Sequence, residues 1–184
     1  MRKILIASLF LLVLAMPMLA QAPPTATDVA NNQLSNLESE FVPLAEAMPD
    51  DKYNFAPTNG EFKGVRNFGE QMRHVAAVNY ILGATILGEK VPVDLGKGES
   101  GPDLKTKAET VKFVKDSFAY VHKAFNSINN ANAYGQVENP FGGKTKPTRM
   151  GLVVLTVGHG FDHYGQSVEY LRMNGIIPPA SRPQ

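Results

Sequence analysis

The chain has 184 residues, with 18 Lys and Arg set against 17 Asp and Glu, and it contains no cysteine. A balance this close to neutral excludes the strongly basic surface that nucleic-acid binding requires. The missing thiols exclude disulfides, cysteine nucleophiles and thiolate metal sites, while the length suffices for one domain with a proper core.

The N-terminus reads as a leader rather than as fold. Arg2 and Lys3 precede an apolar run from Ile4 to Leu14, which Pro17 breaks ahead of Met18-Leu19-Ala20-Gln21-Ala22. This is the layout of a secretory signal peptide. Cleavage is expected after Ala20, because the better Ala-x-Ala match would leave Pro23 behind the scissile bond. The alternative is an uncleaved anchor, against which the run is shorter than the ~20 residues of a spanning helix. With residues 1–20 removed, the 18 basic residues lose Arg2 and Lys3 and leave 16 against 17 acidic ones, a net −1. The expectation is therefore an exported protein, periplasmic or extracellular, with no stable membrane span. It divides into a leader (1–20), a disordered lead-in (21–27), a helical domain (28–180) and a short tail (181–184).

A first helix is predicted from Asp28, where Ala30, Leu34, Leu37, Phe41, Leu44 and Met48 recur by threes and fours. Pro43 falls inside it and is expected to kink or split it, and Pro49 closes it. A second helix opens at Asn67, with Glu70 three residues on in a capping-box arrangement. Met72, Val75, Asn79, Leu82 and Ile86 form its stripe, Val78, Ile81 and Thr85 widen it, and Gly88 ends it. Thr106 and Glu109 cap a third helix, whose stripe runs Val111, Val114, Phe118, Val121, Phe125, Ile128. The fourth starts around Pro147 and runs to Asn174, with Gly175 and Pro178-Pro179 as stop signals. Four amphipathic helices without a strand pattern predict an all-α four-helix bundle. A 25-residue helix is about 37 Å long, and a connector such as Glu89–Lys105 reaches about 55 Å when extended, so crossover connections are allowed.

Chemistry concentrates in three histidines. Spacing of four puts His159 and His163 on one helix face, about 5–6 Å apart at Cβ, within reach of one metal ion at about 2.0–2.1 Å from each nitrogen. They continue an inward series read as Leu152, Leu155, His159, His163, Gln166, Tyr170. His74, near the start of the second helix and beside Val75 and Val78, supplies a third imidazole. A lone histidine on such a stripe is more often a hydrogen-bonded core residue; three on two facing helices favour a metal site. Glu70, one turn before His74, is the best candidate for a supporting acceptor, a fourth ligand or a catalytic base, and Gln166 and Asp162 are weaker ones. His122 flanks its stripe and reads as a boundary residue. Gly158, Gly160 and Gly165 imply close approach of another helix or space kept for a ligand.

These stretches also carry a family resemblance. Gly69-Glu70-Gln71-Met72-Arg73-His74-Val75-Ala76, preceded by Ala45-Glu46-Ala47-Met48-Pro49 and Tyr53-x3-Pro57, resembles the DinB-like (damage-inducible) superfamily. So does His159-x3-His163-Tyr164-Gly165-Gln166 with Tyr170-Leu171-Arg172 and Gly175-x2-Pro178-Pro179, and the likeness spans about residues 28–180. It implies a bundle of up-down-down-up order, often dimeric, with a divalent metal held by His74, His159 and His163. The superfamily includes hydrolase-like metalloproteins and thiol-dependent transferases or isomerases, and membership does not choose among them. The expectation is an exported metal-dependent enzyme, hydrolase-type, acting on a small molecule, with Zn first in order and Ni or Fe next, since imidazole suits them all. Its alternatives are a non-catalytic metal-binding or dimerising bundle and a thiol-dependent transferase, the last disfavoured because small thiols are mainly cytosolic.

Overall fold

The computed structural model describes residues 23–183, so the predicted leader lies outside the described residues. Among the described residues four α-helices form: α1 (Ala26–Ala47), α2 (Phe68–Leu87), α3 (Lys107–Asn126) and α4 (Arg149–Met173). Among the described residues there is no strand, only an isolated bridge between Gln136 and Thr148. No helix of the described residues is long and apolar enough to cross a membrane.

Reciprocal capping boxes start three of the helices: Thr25 with Asp28, Asn67 with Glu70, and Thr106 with Glu109. The first was not anticipated. Asp replaces the Glu or Gln of the usual signature, and α1 therefore begins at Ala26, drawing Thr25–Thr27 out of the expected lead-in. Gly88 closes α2 in the left-handed region (φ 72°), where a Cβ costs about 1–2 kcal/mol. Pro43 does not split α1, which runs unbroken through it. The carbonyl deprived of its donor is that of Ser39, four residues back and exposed, where solvent can take the bond.

Pairwise contacts give the order. Tyr170 Oη donates to the Arg66 carbonyl (3.0 Å), setting the end of α4 against the start of α2. Asn31 Nδ2 donates to Asn126 Oδ1 (2.8 Å), while Lys115 pairs with Glu46 at the far end, so α1 and α3 are also antiparallel. By contrast, Asn79 meets Ser117 and Gly83 meets Tyr120, which makes α2 and α3 parallel. Leu37 against Gly160 and Glu40 against Tyr164 make α1 and α4 parallel. The order is up-down-down-up, and the segment after Gly88 is a crossover.

The predicted stripes of α1, α2 and α3 enter one core in which Leu34, Leu37, Phe41, Met72, Leu82, Phe118 and Phe125 are fully buried. Phe41 and Phe118 tilt together with ring centroids 5.9 Å apart. Each such side chain contributes about 1.5–3 kcal/mol on burial. In α4 the period was right but the phase was not. Leu152, Val153, Thr156, Gly160, His163, Ser167, Tyr170 and Leu171 are buried, whereas Leu155 (44 % exposed) and Gln166 turn outward. The reason is Gly160: a Cβ there would lie 2.2 Å from Leu37 Cδ2, so α4 presents its glycine to α1 and rotates His159 to the edge of the stripe.

That contact separates two glycines that look alike in sequence. Gly160→Ala gains helix propensity worth about 1 kcal/mol but overpacks a buried leucine at about 1–3 kcal/mol, so it should lower the unfolding free energy. Gly158 is exposed and has nothing within 4 Å of a built Cβ. Gly158→Ala should raise stability by about 0.5–1 kcal/mol. Urea unfolding of both variants reads the opposite signs.

Candidate metal centre

The two long antiparallel neighbours α2 and α4 bring His74, His159 and His163 to one point. One nitrogen of each ring lies within 4.8 Å of the others. The Nε2 atoms of His159 and His74 are 3.1 Å apart, and the ring centroids are separated by 5.0, 4.8 and 4.5 Å. Tetrahedral arms of about 2.0–2.1 Å place donor atoms roughly 3.3–3.4 Å apart, so modest rotation of three rings would centre an ion.

The support for His74 is not Glu70. That carboxylate accepts from the Asn67 backbone N–H (2.8 Å) and completes the α2 cap. The acceptor on His74 is the backbone carbonyl of Glu99, 2.7 Å from Nδ1. A carbonyl cannot donate, so Nδ1 carries the proton and Nε2 presents its lone pair toward the other rings. The Glu99 carbonyl reaches this position because the crossover segment folds back over the start of α2. Gly101 (φ 76°) makes this possible, since a Cβ there would lie 2.8 Å from the Arg73 carbonyl oxygen.

The other two rings have no such support: His159 meets only His74, through Nε2. His163 makes no hydrogen bond among the described residues, and the buried Nδ1 atoms of His159 and His163 are both unpaired. A histidine kept for core structure would be hydrogen-bonded; these nitrogens fit coordination better. Gln166 accepts from Gln71 (3.1 Å) and donates to Asp162 (3.0 Å), a polar bridge beside the triad that touches no imidazole. His122 lies at the α1–α3 boundary, its nitrogens 2.9 Å from Asn31 Oδ1 and 2.9 Å from Glu38 Oε2.

Electrostatics keep the triad neutral. Burial pushes His159 down to about 3, reinforced by His163, His74 and Arg66. Burial also pushes His163 down to about 4, with His74 and Arg66 adding to it and Asp162 opposing. His74 is lowered, chiefly by burial, against the Glu99 bond. Neutral imidazole is the form with a lone pair to give.

The triad forms one wall of an open cavity of about 380 Å³, with Leu155 and Phe141 on the apolar side and Arg66 at the rim. Sequence reasoning missed Arg66, which precedes a helix cap and belongs to no stripe, and Glu99, which acts through its backbone.

Comparisons with known proteins agree with this architecture. The profile of the DinB superfamily matches residues 33–167. No curated protein matches significantly. Among solved structures, a conserved protein from Enterococcus faecalis superposes with a TM-score of 0.65 at 13 % identity, covering 82 % of this chain and 98 % of its own. A DinB-like protein from Bacillus subtilis gives 0.61 at 16 % identity, covering 84 % and 100 %. An uncharacterised protein from Escherichia coli UTI89 gives 0.62 at 13 % identity, covering 83 % and 96 %. At these identities the likeness speaks for the fold alone.

Proposed function

This chain belongs to the DinB superfamily, and from that premise we propose that it is an exported metalloenzyme of hydrolase type acting on a small molecule. His74, His159 and His163 hold a divalent ion, with Zn first in order and Ni or Fe next. One observation carries the reading: three neutral imidazoles, two of them with unpaired buried nitrogens, converge on the wall of an open cavity. When bound, a divalent ion supplies Lewis acidity toward a substrate oxygen and toward water.

The residues around it have separate tasks. The Glu99 carbonyl fixes the tautomer of His74. Leu155 and Phe141 give the cavity an apolar side that displaces water from a bound substrate. Arg66 offers positive charge at the rim. Glu70 is committed to the α2 cap and has no part in this reading. The leader-like N-terminus supports export.

The test is elemental analysis of protein purified without an affinity tag, followed by a hydrolase panel with and without chelator. About one equivalent of metal and chelator-sensitive turnover are expected; absence of metal would end the proposal. A further prediction isolates the loop. Gly101→Ala leaves every imidazole in place but forces the segment off Arg73 and takes the Glu99 carbonyl from His74. Metal affinity, measured by competition with a chelating dye, should fall roughly 10–100-fold, the usual cost of losing a ligand's supporting hydrogen bond.

One observation favours the second reading, a self-associating bundle. On the α1–α4 face, Val29 and Val154 are exposed above Val153 and Val157 in an apolar groove of about 330 Å³. A homodimer through this face is compatible with the metal site, and the mass in solution decides it.

A further inference from the structure

A second cavity of about 380 Å³ shares Arg66 with the one beside the triad. Arg66, Arg73 and Lys97 line it, together with the crossover residues Ser100 and Gly101. Among the described residues none of these three cations forms an ion pair. Arg73 Nε is buried without a hydrogen-bond partner. Two carboxylates also line the cavity: Glu70 accepts from the Asn67 N–H, and Asp103 pairs with Lys105 while also feeling the charges of Lys97 and Arg73. Three cations thus face two carboxylates, one of which also pairs with Lys105, so the cavity carries a positive excess.

The α2 N-terminus is not what makes the site attractive to anions. Phe68 and Gly69 donate their N–H groups to the carbonyls of Phe55 and Tyr53, and Glu70 donates to Asn67 Oδ1. Attraction must come from the side chains. Two guanidinium groups suit carboxylate or phosphate because their planar forks match two oxygens at once. The segment around Glu99 separates the two cavities: its carbonyl faces His74, and Lys97, Ser100 and Gly101 face the basic side. Arg66 lines both.

We infer that this basic cavity binds the anionic end, a carboxylate or a phosphate, of the substrate whose reacting end faces His74, His159 and His163, with Arg66 and Arg73 as the binding residues. This rests on the proposed function for its account of the reacting end, but not for the existence of an anion site. The cavity, at ~380 Å³, falls in the lower part of the ~300–1,000 Å³ typical of small-molecule sites, enough for a compact acidic group.

The test is an NMR titration of purified protein, following the arginine Nε–Hε resonances as inorganic phosphate, acetate or neutral glycerol is added. Saturable binding of phosphate or acetate is expected, weakening as sodium chloride rises, with the tighter of the two anions naming the chemical source. Arg66→Gln and Arg73→Gln should each weaken it about tenfold or more, the loss expected for a charge-assisted hydrogen bond. Lys97→Gln, on the loop side, tests the site without touching α2 should Arg73→Gln impair folding, and it should weaken binding as well. His163→Ala should leave anion binding intact while removing metal, so failure of the metal reading and failure of this one are distinguishable. The inference is overturned if neither anion saturates, if glycerol moves the same resonances equally, or if the Arg66→Gln and Lys97→Gln proteins bind as the parent does.

Discussion

Replacing His163 with alanine is expected to strip the metal from the protein while leaving its fold in place. His163 lies on the buried face of α4 and makes no hydrogen bond among the described residues. A ligand contributes more than the residue that merely orients it, so the loss of affinity should exceed the roughly 100-fold upper range for removing a supporting contact. The stability of the metal-free protein should change little, because the variant removes a desolvated nitrogen that no protein group satisfies, which offsets much of the lost packing. A structural histidine would behave in the opposite way. Its removal would orphan a partner at about 1–3 kcal/mol and leave metal content unchanged. Circular dichroism melts and metal analysis on the same sample separate the two.

Acid should unfold the metal-free protein along a slope that these histidines set. Burial holds His159 at about 3 and His163 at about 4 in the folded chain, while an unfolded chain titrates them near the ordinary value of 6.5. Between those limits the unfolded state binds more protons, so stability rises with pH across the window and is lost as pH falls below about 6.5 toward 4. Both depressions act in the same direction across this window. Bound metal should shift the loss to lower pH, because protons must then displace the ion as well. Thermal melts from pH 7.5 to 4 should show a steep decline in the parent without metal and a shallower one in His159→Gln and His163→Gln. An equal decline in all three proteins would assign the acid sensitivity to other groups.

Much of this was legible in the residues. Apolar spacing marks all four helices, and the Asn67–Glu70 and Thr106–Glu109 boxes mark where two of them start. Spacing of four pairs His159 with His163, and antiparallel packing of α2 on α4 brings in His74. What could not be read depended on contacts between distant segments. The rotation of α4 that exposes Leu155 follows from Gly160 meeting Leu37; the glycines signalled a close approach, but not that Gly160 rather than Gly158 or Gly165 makes it. The partner of His74 is a backbone carbonyl, which every residue type offers equally, so nothing in the sequence singles out Glu99. Glu70 could have been set aside earlier, since a carboxylate turned back onto Asn67 is already occupied. Arg66 and Arg73 come to line a cavity only with the crossover residues Lys97, Ser100 and Gly101.

X-ray absorption at the metal edge of protein loaded with one equivalent of zinc addresses the centre itself. Three imidazole nitrogens at about 2.0–2.1 Å, with the outer-ring scattering of histidine and a light-atom shell completing the coordination, are the predicted result. The three-nitrogen pattern should fall to two in His163→Ala. A shell of oxygen alone, or one that His163→Ala leaves unaltered, would show that the ion sits elsewhere and that these rings do not hold it.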